Sequence, residues 1–296
     1  MEQFQKRFNA WYYRFLKRHR FSIRRKTSVG QKKPEGWEGK AWAFVQKLVA
    51  ILREHAQDAI FALLYNMDQT PIQAEMPSET TLEKTGAKSA CITTGGEAEK
   101  LRYTVVLTVR GDGQKVRPRI IYKGSPFVGG TKKSGAPKKP GKNSISLEVQ
   151  KSSWCDGVQS NEWVAQDFMR RPGSTPRDQR PSVLVLDDFR CHREEKFQQK
   201  LKDLANTLVV MLDGGLTPVC QPLDRNINKE FKRGFRARYT IWIRDNFGRS
   251  GEKVSAPSRG LLATWVKEVW EGISERTIRS CFKVCGLTLN LDGSED

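Results

Sequence analysis

The sequence predicts an α/β fold, a mixed sheet flanked by helices, with a helical segment ahead of it and a helical extension behind it. Three observations predict this. Apolar runs of strand length recur between residues 60 and 212. Helix-period segments separate the later runs, giving strands, helix, strand, helix, strand, helix. Further helical periodicities flank this region at both ends.

Residues 1–26 read as a short amphipathic helix and its exit. Phe4, Phe8, Trp11, Tyr12, Phe15 and Leu16 recur at helical spacing, and a basic string runs on to Lys26. A polar linker follows, from Thr27 to Gly36. Trp37 to His55 reads as a second amphipathic helix, with Trp42, Val45, Leu48, Val49 and Leu52 on the side that packs inward. Strands are expected at residues 60–67, about 90–94, 102–109 and 117–123, and Asp112-Gly113 is a hairpin turn signal between the last two. Residues 124–144 are rich in Gly, Lys, Pro and Ser and read as a mobile basic loop. A helix over 160–170 turns Trp163, Val164 and Phe168 inward and stops at Pro172-Gly173. Ser182 to Leu186 is a continuous apolar run, as expected of a central strand buried on both faces. Then come a helix from Glu194 to Asn206, a strand from Leu208 to Leu212 and a long helix from Asn226 to Arg244. Residues 246–258 read as a polar loop. Trp265, Val266, Val269, Trp270 and Ile273 mark another helix, Ile278 to Val284 the last, and an acidic tail closes the chain.

At 296 residues, 38% of them hydrophobic and eight of them Trp, the chain can build one large packed domain with an appendage. Its net charge is +19. Residues 1–33 hold eleven Lys and Arg against one Glu, which leaves +9 for the rest. Charge concentrated in this way implies a polyanionic partner, most often nucleic acid; the alternative is a solubilising surface. Six cysteines without a Cys-x-x-Cys pair, and only three histidines, exclude a zinc cluster or a disulfide framework and suit a reducing compartment. No apolar stretch approaches the roughly 20 residues that span a bilayer, and the N-terminus lacks a signal-peptide core, so the chain reads as soluble and intracellular. No stacking-platform signature supports an RNA-binding scaffold.

Three aspartates sit in informative places. Asp68 ends an apolar run in Ile60-Phe-Ala-Leu-Leu-Tyr-Asn-Met-Asp68-Gln-Thr-Pro71, and Asp187 ends another in Val183-Leu-Val-Leu-Asp187-Asp-Phe-Arg-Cys-His192. Asp224 lies in Gln221-Pro-Leu-Asp224-Arg-Asn-Ile-Asn-Lys-Glu-Phe-Lys232, where a turn passes into a helix. A strand that emerges at a carboxylate sets an oxygen ligand at the edge of a rigid sheet. Three carboxylates brought together repel one another unless a divalent cation neutralises them, and Mg²⁺ in such a site serves phosphoryl transfer. The alternatives are structural: Asp68 as a turn former before Pro71, and Asp224 as a helix N-cap.

The segments Asn66-Met-Asp-Gln-Thr-Pro71, Leu186-Asp-Asp-Phe-Arg-Cys-His192 and Gly214-Gly-Leu-Thr-Pro-Val-Cys-Gln-Pro-Leu-Asp224 resemble the three signature blocks of pogo-like transposases, which are DDE superfamily endonucleases. The resemblance extends to Tyr103–Gly113, Pro118–Gly124 and Ser280–Gly286, and so covers nearly all of the chain from about Trp11 onward. Trp11 to Lys26 further resembles the end of a centromere protein B type helix-turn-helix. The earlier helices of that module do not precede it, so it is expected to be a C-terminal remnant.

The resemblance implies an RNase H-like endonuclease domain over residues 37–290, preceded at 1–33 by the remnant and a basic linker. It implies Asp68, Asp187 and Asp224 as catalytic residues and metal ligands for Mg²⁺ or Mn²⁺, two ions in all, cleaving DNA strands and transferring them. The family places the second aspartate five residues before the His, which selects Asp187 over Asp188. Arg190 and His192 then stand where they could reach phosphate or the outer shell of the metal; His192 can equally be a structural helix-start residue. Gln69 stands where the family carries Glu. Arg14, Lys17, Arg18, Arg20, Arg24, Arg25 and Lys26 are the expected DNA contacts. Double-stranded DNA is the expected partner, alongside a homo-oligomeric assembly in the nucleus, with no membrane and no small-molecule substrate. A second reading is a DNA-binding chromatin or regulatory protein that does not cleave.

Overall fold

The computed structural model describes residues 2–25, 35–55, 60–74, 76, 80–86, 102–124, 145–172, 180–246 and 256–288. The strand expected near 90–94, nearly all of the 124–144 loop, Lys26 and the acidic tail lie outside them.

The chain begins with α1 (Glu2–Arg18), whose Leu16 is buried while Phe8, Trp11 and Tyr13 stand out in solvent. The helix stops where Arg20 takes φ 53°, the left-handed conformation common at helix ends. Residues 21–25, expected as part of the exit of that helix, form a strand, β1 (Phe21–Arg25). After α2 (Trp37–His55) and one turn, α3 (Ile60–Leu63), come β2 (Leu64–Gln73) and β3 (Thr80–Lys84). β1 and β3 pair antiparallel as a separate ribbon, which explains why Phe21 to Arg25 is extended.

The later elements are β4 (Arg102–Arg110), β5 (Arg119–Lys123), β6 (Ser146–Gln150), α4 (Gly157–Gln166), β7 (Ser182–Leu186), α5 (Glu195–Ala205) and β8 (Thr207–Met211). Next follow a short α6 (Thr217–Cys220), the long α7 (Asn228–Asn246), α8 (Arg259–Gly272) and α9 (Glu275–Val284). Six strands form one mixed sheet in the order β6-β5-β4-β2-β7-β8. β2, β4 and β5 are antiparallel neighbours, while β7 and β8 continue from β2 in parallel. Gly113, at φ 98°, makes the turn between β4 and β5 in the conformation that glycine tolerates best.

Alternation along the central strands sends successive side chains to opposite faces. Val183 and Val185 join Phe44, Leu48, Phe231, Phe235, Val266 and Phe282 in one core, beneath α2, α7, α8 and α9. Leu184 and Leu186 join Trp163, Phe168, Phe197 and Leu201 in the other, beneath α4 and α5. Both faces are covered, so β7 is buried along its whole length, as its unbroken apolar run requires. Trp42 is the exception on α2: it points outward at 54% exposure, and Phe44 takes a core position instead.

Two polar staples fix the edges. Arg119 and Asp167 are fully buried and meet at 2.6 Å, with Arg117 and Ser146 also on Asp167, so β5, β6 and the end of α4 are tied together. Lys115 Nζ donates to the carbonyls of Trp270, Glu271 and Ile273 at 2.9, 2.9 and 2.7 Å, capping α8 and docking the C-terminal helices on the sheet.

Candidate functional site

β2 and β7 run side by side only from Leu64↔Val183 to Asn66↔Val185. Beyond that point β2 keeps only β4 as a partner, and β7 ends at Leu186. A crevice therefore opens at the carboxyl ends of two parallel strands, the place where open α/β sheets bind ligands. Asp68 lies two residues past the last pair on β2, and Asp187 follows the last residue of β7. The strand does not end at Asp68, as the apolar run alone would have it. β4 pairs with β2 as far as Gln73, and Pro71 is tolerated because β2 has lost its other neighbour there.

Asp224 sits on a single π turn, Leu223–Ile227, that leads into α7. Pro222 occupies the cap position, so Asp224 lies inside the first turn and is not an N-cap. Such wide turns recur at functional sites. Asn66 joins the three segments. Its Nδ2 donates to the Val185 carbonyl at 3.0 Å, and its Oδ1 accepts from Leu223 N–H at 3.1 Å, all fully buried.

Asn228 brings the first and third aspartates together. Its Nδ2 lies 2.5 Å from Asp68 Oδ2 and 3.0 Å from Asp224 Oδ1. Burial, and after it the charges of Asp224 and Asp187, pushes the Asp68 carboxyl up to about 7, against the hydrogen bonds from the Asn228 side chain and the Gln69 backbone N–H. Asp224 is also raised, by burial first and then by Asp187, with Asn228 and Lys232 opposing. Lys232, one turn beyond Asn228, is held below the usual lysine range by burial although Asp68 and Asp224 favour its charge.

Asp187 is engaged differently. His192 Nδ1 lies 2.8 Å from Asp187 Oδ1 and 3.2 Å from its carbonyl. Burial works against the imidazolium, yet the hydrogen bonds with Asp187 and Cys191 outweigh it and hold His192 up at about 10. On the far side of the ring, the Gln69 amide stands 3.3 Å from Nε2 and suits either protonation state, since its nitrogen can meet a neutral ring and its oxygen a charged one. Asp188 is exposed and grips Arg193 with both oxygens. Arg190 is exposed on the turn that carries His192, and His192 is buried.

The structure therefore gathers Asp68 and Asp224 at Asn228, with Asp187 acting on both by charge while bonded to His192. Among the described residues, no group of three or more His, Cys, Asp or Glu side chains is arranged to hold a metal ion. Asp68 and Asp224 fit a hard divalent cation as a two-carboxylate donor set, the number Mg²⁺ often takes with water completing its shell. Of the cationic candidates, Arg14, Lys17, Arg18 and Arg20 are exposed on α1 and the turn after it, Arg24 and Arg25 lie on β1, and Lys26 is outside the described residues. Sequence reasoning missed Asn66, Asn228 and Lys232. Asp224, Asn228 and Lys232 recur every four residues, and that spacing could have put them on one helix face.

The model of the DDE superfamily endonuclease family matches residues 100–282, a span with Asp187 and Asp224 but not Asp68. Two curated relatives, each named "Pogo transposable element with KRAB domain", come from Mus musculus and Homo sapiens. Each is 31% identical over 289 residues, which is 97% of this chain and 45% of the relative. The chain thus spans about half the length of the curated relatives it matches. Among solved structures, the pre-cleavage Mos1 transpososome superposes with a TM-score of 0.51 at 11% identity, over 88% of this chain and 64% of that one. At that identity the likeness bears on the fold alone, and the fold is the RNase H-like one that the sequence predicts. The chain belongs to the DDE superfamily endonucleases, among their pogo-like members.

Proposed function

We propose that residues 37–290 form a DNA strand-cleaving and strand-transferring domain dependent on Mg²⁺ or Mn²⁺, two ions in all, with Asp68, Asp187 and Asp224 as its acidic residues. The observation that carries this reading is the meeting of Asp68 and Asp224 on one amide, beside Asp187, at the crevice where β2 and β7 part. Carboxylates so close together, Asp68 buried among them, favour a partner that brings positive charge. Bound there, a divalent cation supplies Lewis acidity at a phosphoryl oxygen and an acidified water or 3′-hydroxyl as nucleophile.

The chain's own residues do the rest. Asp68 and Asp224 bind from one side of the crevice. His192 fixes the Asp187 carboxylate through Nδ1, and the Gln69 amide fixes the ring in turn. Lys232 adds positive charge beside the same carboxylates, where a phosphate would approach. Asp188, turned to Arg193, is a surface ion pair, which favours Asp187 as the working member. The segment 1–33 adds phosphate contacts through Arg14, Lys17, Arg18, Arg20, Arg24, Arg25 and Lys26, as the end of a helix-turn-helix module. The protein acts in the nucleus as a homo-oligomer on double-stranded DNA.

The test is a nicking assay with the purified chain in Mg²⁺. Asp187→Asn abolishes nicking and leaves DNA affinity nearly unchanged, because the loss is of a ligand charge and not of a phosphate contact; Asp188→Asn is milder. Equal nicking by Asp187→Asn and the parent refutes the assignment. A second reading, a DNA-binding chromatin protein without cleavage, is favoured by the engagement of Asp187 with His192, apart from the Asp68 and Asp224 pair held by Asn228. DNA binding without nicking by either protein selects it.

A further inference from the structure

Asp68 and Asp224 come from a strand and a helix far apart in sequence, yet both end on one atom. Asn228 Nδ2 is 2.5 Å from Asp68 Oδ2 and 3.0 Å from Asp224 Oδ1. An ionised carboxylate only accepts hydrogen bonds, so the amide must present its nitrogen, and its two hydrogens serve one carboxylate each. The residue is 6% exposed, and its Oδ1 is buried without a partner. An amide with one end fully used and the other unpaired is placed for its donors, because leaving a buried acceptor unsatisfied is itself costly.

The residue type matters. A lysine here would answer the two charges but would repel an incoming cation. An aspartate would add a third like charge between two others. An apolar side chain would leave both carboxylates to swing apart. A neutral double donor holds them together and leaves their charge for a cation. Each carboxylate also keeps a second oxygen that this amide does not use.

We propose that Asn228 is a positioning residue of a divalent-cation site: its amide gathers and orients Asp68 and Asp224, so that a cation meets a pair already in place. This rests on the reading of those two aspartates as cation ligands. Residues that orient metal ligands in this way typically contribute 10–100-fold in metal affinity.

The experiment is direct Mn²⁺ titration of the full chain, with free Mn²⁺ followed by electron paramagnetic resonance at pH 8, and with thermal melts in parallel. Asn228→Ala is expected to weaken Mn²⁺ binding roughly 10–100-fold. Asn228→Leu, nearly isosteric and without donors, is expected to do the same and serves where the alanine variant fails to fold. Asp224→Asn is the reference and should lose binding altogether. If Asp224→Asn loses Mn²⁺ while Asn228→Leu binds it as tightly as the parent, the role of Asn228 is overturned and the cation site stands. A lower melting temperature with unchanged affinity overturns that role equally, since it is what a purely structural asparagine would produce. If the parent and Asp224→Asn behave alike, the cation site itself falls, and this role with it.

Discussion

Asp68 carries its charge at a cost to the fold. Burial pushes its carboxyl up to about 7 from the ordinary 3.8, so between those values the folded state holds a proton that the unfolded chain has released. A group raised in this way contributes stability that is present at low pH and is lost as pH rises between about 4 and 7. Asp68→Asn removes the charge and keeps the shape. In EDTA it should melt several degrees above the parent at pH 8, with the difference closing towards pH 5. Adding Mg²⁺ should raise the parent and not the variant. Identical melting curves at pH 8 in EDTA would show that Asp68 is not strained by its charge. The aspartates were legible in the sequence because each sits inside a short contiguous motif. Asn66 and Asn228 lie within two of those same motifs, yet their roles were not legible. Asn228 shares a helix face with Asp224, which its four-residue spacing allows, but its other partner, Asp68, and both backbone partners of Asn66 come from distant segments, and local pattern carries no trace of those meetings.

The strands that could be read ahead of the structure are those whose burial leaves a continuous apolar signature, above all β7 and β4. β6 escaped because its side chains, Ser146 aside, are only half-buried, and Ser146 is held by hydrogen bonding to Asp167. β2 looked shorter than it is because Asp68 and Pro71 imitate a strand end, while the pairing with β4 that carries it on to Gln73 is a long-range fact. The buried Arg119–Asp167 pair is the main polar link between β5 and the end of α4. Asp167→Ala would strand a fully buried guanidinium beside partners that replace its missing ion pair only in part. Urea unfolding should register a loss of about 3–5 kcal/mol, the usual result of deleting one member of a buried pair. A loss within experimental error would mean that Glu148 and Glu162, both within reach of Arg119 Nη1, carry the charge instead.

At the scale of the whole molecule, the charge gathered in the first 33 residues was the plainest message of the sequence, and the exposed Arg14, Lys17, Arg18 and Arg20 agree with it. Replacing those four with glutamine in the full chain should weaken duplex binding and flatten the dependence of log K on log salt. The slope is expected to fall by roughly 0.9 for each phosphate that the protein no longer neutralises, read by fluorescence anisotropy across a salt series. An unchanged slope would remove this helix from the DNA surface. The sheet beneath is stitched by different means. Asn66 grips a carbonyl at residue 185 and an N–H at residue 223, groups that every residue except proline possesses. The clip reads an address in the backbone and ignores the side chains hung upon it. Valine and leucine at those two places are therefore free to drift among residues of similar bulk over a lineage's history. What must be inherited unchanged is one amide and the turn it holds, and a crevice secured so simply can outlast most of the sequence written around it.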